Sequence, residues 1–318
     1  VGTTGATIGG GIKENNFLGK GIKLDTNLQL SEDNLKGQFS YEKPNFNNSD
    51  NSLFMSVKST TTDKLQDFGY KSSSIGASAG TSFEQYENLY FSPAIDVSRE
   101  QLKTTNLASP SLKNQKGSYF DTYFNYSFNY DLRNKKYKAD EGYIATFYQE
   151  LPMISQNKEI VNSFEINRYQ KISDSITKIS FSAKAINTLS NKDVRLSKRL
   201  YIPGRKLRGF EQGWVGPVKN GEYLGGNYIS TLNFNATLPR LFPLLQNTEI
   251  SYFVDTANIW GLDYDDAIDA DSRIRAATGI AIDILTPIGP LNFSLSQPLM
   301  KHSSDKTEAF RFNLGTSF

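Results

Sequence analysis

Apolar and polar residues alternate with a period of two along most of this chain, the spacing of strands that set one face against an oily neighbour and the other against a wet one. Ile22, Leu24, Thr26, Leu28 and Leu30 alternate with Lys23, Asp25, Asn27 and Gln29. Phe120, Thr122, Phe124, Tyr126, Phe128 and Tyr130 alternate with Asp121, Tyr123, Asn125, Ser127 and Asn129, a run longer than an average globular strand. Ile274, Ala276, Thr278, Ile280, Ile282 and Ile284 stand opposite a face that carries Arg275 and Asp283. The last residues repeat the theme: Phe310, Phe312, Leu314, Thr316 and Phe318 share one face, and Arg311, Asn313 and Ser317 the other.

The pattern predicts strands over 5–15, 21–31, 34–45, 52–62, 69–84, 88–100, 117–133, 142–153, 158–172, 176–188, 226–239, 247–260, 273–286, 290–301 and 307–318. Short turns with turn chemistry, such as 16–21, 85–88, 173–175 and 286–290, tend to alternate with long polar loops at 101–116, 189–226 and 261–272. Short turns on one rim and long loops on the other describe an all-β, antiparallel transmembrane β-barrel, and these runs meet the roughly 9 to 11 residues a tilted strand needs to cross the membrane. Single-chain bacterial barrels close on an even number of strands. A count of about fifteen therefore means either a miscounted strand or a missing one, and the start of the chain only four residues ahead of the first pattern favours a strand upstream of Val1; residues 1–318 are read as a single barrel domain.

Composition narrows the function classes. No stretch approaches the roughly 18 to 20 apolar residues of a spanning helix, and a mean hydropathy of −0.47 suits a barrel whose polar lumen dilutes its apolar wall. Aromatic residues make up 13% of the chain, enough to furnish interfacial girdles. A net charge of +2 with scattered basic residues offers no nucleic-acid footprint. With no cysteine and one histidine, thiolate sites and disulfides are excluded. A catalytic triad would have to use His302, in a turn between two strand patterns, so no enzyme activity, cofactor or metal site is expected.

The longest loop holds Arg199-Leu200-Tyr201-Ile202-Pro203-Gly204-Arg205-Lys206-Leu207-Arg208-Gly209-Phe210. With Gly225-Gly226-Asn227, Phe253-Val254-Asp255-Thr256-Ala257-Asn258-Ile259-Trp260, Gln297-Pro298-Leu299 and Gly315-Thr316-Ser317-Phe318, it resembles the BamA family of outer-membrane insertases over essentially the whole chain. The resemblance implies a 16-stranded barrel, with POTRA domains and a first strand upstream. It also implies integral residence in the bacterial outer membrane, with unfolded outer-membrane proteins, BAM lipoproteins, lipid and lipopolysaccharide as partners. In that family the loop folds into the lumen, so Leu207, Arg208, Gly209 and Phe210 are the implied strut and Asp255 an acidic partner of Arg208. Alternation with Val254 and Phe253 leaves Asp255 free to face the lumen. The family's second acidic position is Asn235 here, an amide that implies a weaker or rerouted contact. The final strand, with Phe310, Phe312, Leu314, Gly315 and Phe318, is the implied edge of a lateral gate that opens between first and last strands.

Other features carry blander readings. Asp263, Asp265, Asp266, Asp269 and Asp271 lack EF-hand spacing and read as a solvated acidic loop. Gly9-Gly10-Gly11 lies inside a strand pattern, where glycine serves close packing or curvature. Arg195, Lys198, Arg199, Arg205 and Lys206 could touch lipopolysaccharide phosphates or line the lumen. A two-partner-secretion or TamA-type translocator shares fold and loop motif, whereas a passive porin shares the fold alone.

Overall fold

The computed structural model describes residues 8–31, 34–65, 69–106, 108, 110–190, 192–219, 221–239, 247–263, 271–286 and 289–314. Its strands are β1 (Ile8–Phe17), β2 (Ile22–Leu30), β3 (Asn34–Lys43), β4 (Ser52–Lys64), β5 (Tyr70–Tyr86), β6 (Leu89–Thr104), β7 (Gly117–Asp131), β8 (Gly142–Ile154), β9 (Glu159–Ile172) and β10 (Ser175–Thr188). The short β11 (Val218–Lys219) and β12 (Glu222–Tyr223) follow, then β13 (Tyr228–Thr237), β14 (Thr248–Trp260), β15 (Ile274–Thr286), β16 (Gly289–Met300) and β17 (Phe310–Leu314).

Every long strand pairs antiparallel with its neighbour in sequence, in one 15-stranded sheet that passes from β10 directly to β13. This is the antiparallel barrel architecture that period-two alternation requires, because each strand then offers one face to each side of the wall. Each long strand matches one expected from the pattern, with boundary shifts of a few residues. Among the described residues the sheet ends at β1 and β17, with no ladder between them. Gly315 and Phe318 lie outside the described residues, as do Val1 to Gly5 and Asp265, Asp266 and Asp269.

Two features depart from the pattern reading. Residues 189–227 contain a hairpin, β11 with β12, that is too short to leave a periodic signature. The same segment is also no solvated loop. Val194, Leu200, Ile202, Leu207, Phe210 and Val215 pack with Val161, Ile186, Ile229, Ala257, Ile259 and Ala277 of the wall into the main core cluster. Among the described residues, the buried hydrophobic side chains all lie at or beyond Ala94. The lumen is thus plugged against the second half of the sheet, while the first half keeps polar inner pairs such as Lys23–Glu42, 2.8 Å apart.

The outer wall is aromatic on β5–β8. Phe91 stacks on Phe128 at 4.8 Å, and Tyr126 lies within 6.3 Å of Phe91, Phe124, Phe128 and Phe147. Such clusters add offset and edge-to-face contacts to area burial. No helix among the described residues is long and apolar enough to cross a membrane.

Candidate functional site

Strand β14 sets Phe253, Asp255, Ala257 and Ile259 on its inner face, all buried. Phe253 therefore shares the lumenal face with Asp255 and does not alternate with it; Val254 points the other way. Opposite them on β13, Asn233 pairs with Asp255 and Asn235 with Phe253. Asp255, Asn233 and Asn235 make a small polar patch beside the Phe253 ring, and the Arg208 loop descends onto it.

Arg208 meets Asp255 as a fork on a fork: Nε donates to Oδ2 at 2.7 Å and Nη2 to Oδ1 at 2.8 Å. The backbone N–H of Arg208 also donates to Oδ2 at 3.0 Å, and Asn233 donates to Oδ1 at 2.8 Å. Four donors thus satisfy a carboxylate with no solvent exposure, which is what a buried charge requires. Nη2 donates as well to Asn235 Oδ1 at 2.8 Å. The neutral amide keeps the second contact and contributes no charge. The guanidinium lies over Phe253, its Cζ 3.5 Å from the ring centroid, a cation–π arrangement open to arginine's planar head.

Local backbone explains why the motif reads Arg-Gly-Phe. Gly209 has φ of +88°, and a Cβ there would lie 3.1 Å from Ala277 Cβ and 3.2 Å from Ser296 Cβ. The chain therefore turns in the left-handed region while pressed against β15 and β16, which glycine alone does without strain. Phe210, 1% exposed, fills the space beyond, next to Leu207 in the main core cluster.

The motif also touches the last strand. Phe210 bridges Thr307, Glu308 donates its N–H to the Gly209 carbonyl at 3.0 Å, and Glu211 donates to Lys306 at 3.0 Å. Arg311, on the inner face of β17, donates from Nη1 to the Gly204 carbonyl and from Nη2 to the Phe210 carbonyl, both at 2.6 Å. Phe310 on the same strand is half exposed on the outer wall, and Phe310, Phe312 and Leu314 pair with Leu295, Phe293 and Leu291 of β16.

The basic residues upstream line the lumen. Arg195, 1% exposed, is caged by three wall carboxylates: Glu159 (2.9 Å), Asp121 (2.7 Å) and Glu100 (3.4 Å). Burial opposes its charge, but Glu159 and then Asp121 and Glu100 outweigh that penalty and raise its pKa above the ordinary arginine value. Lys198 reaches Glu150 at 3.3 Å and Lys206 reaches Glu165 at 3.0 Å. Arg199 pairs with Asp263 at 3.0 Å, and Asp263 also accepts from the Val194 N–H and from Asn227. Asp263 is therefore a strut of this loop, while Asp271 is exposed. His302 holds its turn by donating its N–H to Asp305 at 2.7 Å, with Nδ1 3.0 Å from Ser304 Oγ.

Sequence reasoning overlooked Phe253, Asn233, Arg311 and the Arg195 cage. The signal available was parity: Glu100, Asp121 and Glu159 all fall on the polar face of their strands, opposite a loop rich in arginine.

The features define an outer-membrane β-barrel whose lumen is occupied by its own longest loop. The Omp85 superfamily domain matches residues 16–318, and the chain belongs to that superfamily. It is 30% identical to the outer membrane protein assembly factor BamA of Neisseria meningitidis, over 159 aligned residues that cover 40% of this chain and 19% of that protein. It is 23% identical to the sorting and assembly machinery component 50 homologs of Bos taurus and Homo sapiens, across 97% of this chain and 69% of each relative. The crystal structure of BamA from Haemophilus ducreyi lacking POTRA domains 1–3 superposes with a TM-score of 0.85, at 24% identity, over 97% of this chain and 67% of that one. CdiB from Acinetobacter baumannii and from Escherichia coli each give 0.63 over 98% of this chain, at 14% and 12% identity, covering 57% and 59% of those chains.

Proposed function

We propose that this chain is the barrel of a bacterial outer-membrane insertase, which helps unfolded β-barrel proteins pair their strands and enter the bilayer. The observation that carries this reading is the anchored loop: one lumenal segment is bonded through Arg208 to β13 and β14 and through Arg311 to β17. A passive pore gains nothing from such a plug, whereas a barrel that works at its terminal strand benefits from a rigid brace behind it. The incoming strand would add to an edge at the end of the sheet through backbone hydrogen bonds. Transfer of apolar strand faces from water to lipid would supply the free energy. The higher TM-score to a BamA barrel than to CdiB supports the same choice. BAM-type lipoproteins, phospholipid and lipopolysaccharide are the partners this role would need.

A translocator for one cognate polypeptide is the second reading, supported by the superposition on CdiB over 98% of the chain. Reconstitution of the full-length protein separates them. An insertase accelerates folding of several unrelated barrels in liposomes and conducts poorly; a translocator passes one substrate and leaves the other barrels at their spontaneous rate.

A further inference from the structure

The outer wall of β4–β7 changes character row by row toward the long-loop rim. The ladder register aligns Met55, Ala79, Ile95 and Phe124 in one outward row and Val57, Ala77, Val97 and Thr122 in the next. Beyond them come Ser59, Ile75, Arg99 and Phe120, then Thr61, Ser73, Gln101 and Ser118, and finally Asp63, Lys71 and Lys103. The parity is secured from the other side, because Glu100 between Arg99 and Gln101 points inward to Arg195. Apolar gives way to polar and then to cationic, which marks the edge of the hydrocarbon on the rim that carries the long loops, the outer one in barrels of this kind.

Two of these cations are unspent. Arg99 and Lys103 are exposed and make no hydrogen bond or ion pair among the described residues, while Lys71, beside Lys103, holds Asp63 at 2.6 Å. On β13–β16 the outward residues near this rim are uncharged: Tyr228 and Trp260, stacked at 5.6 Å, and Ile274 and Met300. Among the described residues of β4–β7 and β13–β16, the outward cations near this rim lie on β5 and β6. An arginine at the hydrocarbon edge, in register between Ile75 and Phe120, is placed to lift its head to the headgroup level.

We propose that Arg99 and Lys103, with Lys71 behind them, form a docking surface for the phosphorylated headgroup of an outer-leaflet glycolipid. The charge is complementary to phosphate. Arg99 and Lys103 are four residues apart on one strand face, about 13 Å, so they engage two separate phosphates of one large headgroup. Arg99 supplies a planar fork and Lys103 a point charge, while Phe120 and Ile95 meet the upper acyl chains. The inference rests on the bacterial outer-membrane reading above, because that is where such a glycolipid forms the outer leaflet.

The test uses full-length protein in detergent, with bisphosphorylated lipid A, the same lipid stripped of its phosphates, and phosphatidylglycerol as probes, read by native mass spectrometry. Wild type is expected to retain bisphosphorylated lipid A, and R99Q/K103Q to bind it at least about tenfold more weakly. R168Q, which removes an outward cation near the short-turn rim, is expected to bind as wild type does. Heat-modifiable gel mobility confirms folding of each variant, and the outward position of these side chains makes glutamine tolerable. Unchanged binding by R99Q/K103Q, equal binding of the dephosphorylated lipid or of phosphatidylglycerol, or an equal loss in R168Q would each overturn the proposal. Barrel assembly in zwitterionic liposomes, run on the same samples, reports on the insertase reading independently of this lipid site.

Discussion

The Arg311 guanidinium packs against Gly204 so closely that a Cβ at Gly204 would lie 2.6 Å from Nη1. One residue belongs to the last strand and the other to the lumenal loop, 107 positions apart in sequence. The pair is a lock and its key: the missing side chain admits the guanidinium, which then reaches two loop carbonyls.

Gly204→Ala and Arg311→Gln should therefore damage the same contact. Each is expected to lower the temperature at which heat-modifiable mobility is lost, by roughly 1–3 kcal/mol of stability for two charge-assisted hydrogen bonds. Arg311→Gln also removes the ion pair to Glu308 at 3.0 Å, so the combination should cost about as much as Arg311→Gln alone, since a shortened residue 311 leaves room for the alanine methyl. Fully additive losses would show that the two do not act on one another.

Arg195→Met tests the opposite anchor. Glu100, Asp121 and Glu159 are all buried, and without the guanidinium they face one another uncompensated. Removing one partner of a buried charge pair costs about 3–5 kcal/mol. Thermal unfolding followed by heat-modifiable mobility reads the loss, and an unchanged unfolding temperature in the variant would contradict the cage.

Phe253→Leu keeps an apolar side chain but removes the ring beneath Arg208. The ring also abuts Gly279, where a Cβ would approach the Phe253 side chain to 2.7 Å and the Leu295 carbonyl oxygen to 2.0 Å. A loss of about 1–2 kcal/mol is expected from the cation–π contact and the space left behind. In the Arg208→Ala background the same change should cost less. A double-mutant cycle on thermal stability measures the difference.

The strands were legible because lipid on one side and water or a polar plug on the other impose a strict period of two, visible in Ile22–Leu30 and in Ile274–Thr286. The 189–227 segment was not. Its burial comes from the wall around it, so Val194, Leu207 and Phe210 follow no period, and the β11–β12 hairpin is two residues a side. Asp255 and Asn235 came into view through family resemblance, because a charge buried in a barrel looks in sequence like any polar lumenal residue. Arg311 was placed on the polar face by alternation, yet only the fold shows that this face meets Gly204 and Phe210. Asp263 read as one of five solvated aspartates; its distinction lies in Arg199, Asn227 and Val194, which converge on it from another loop.

The most direct measurement of the central claim is the rate at which the full-length protein folds an unrelated barrel substrate into liposomes, taken across an Arg208→Ala, Asp255→Ala and double-variant cycle. The account predicts that both single variants slow assembly severalfold or more, and that the double variant is no slower than the worse single, because both remove one bidentate contact. Single variants that assemble substrate at the wild-type rate, with wild-type heat-modifiable mobility, would contradict it.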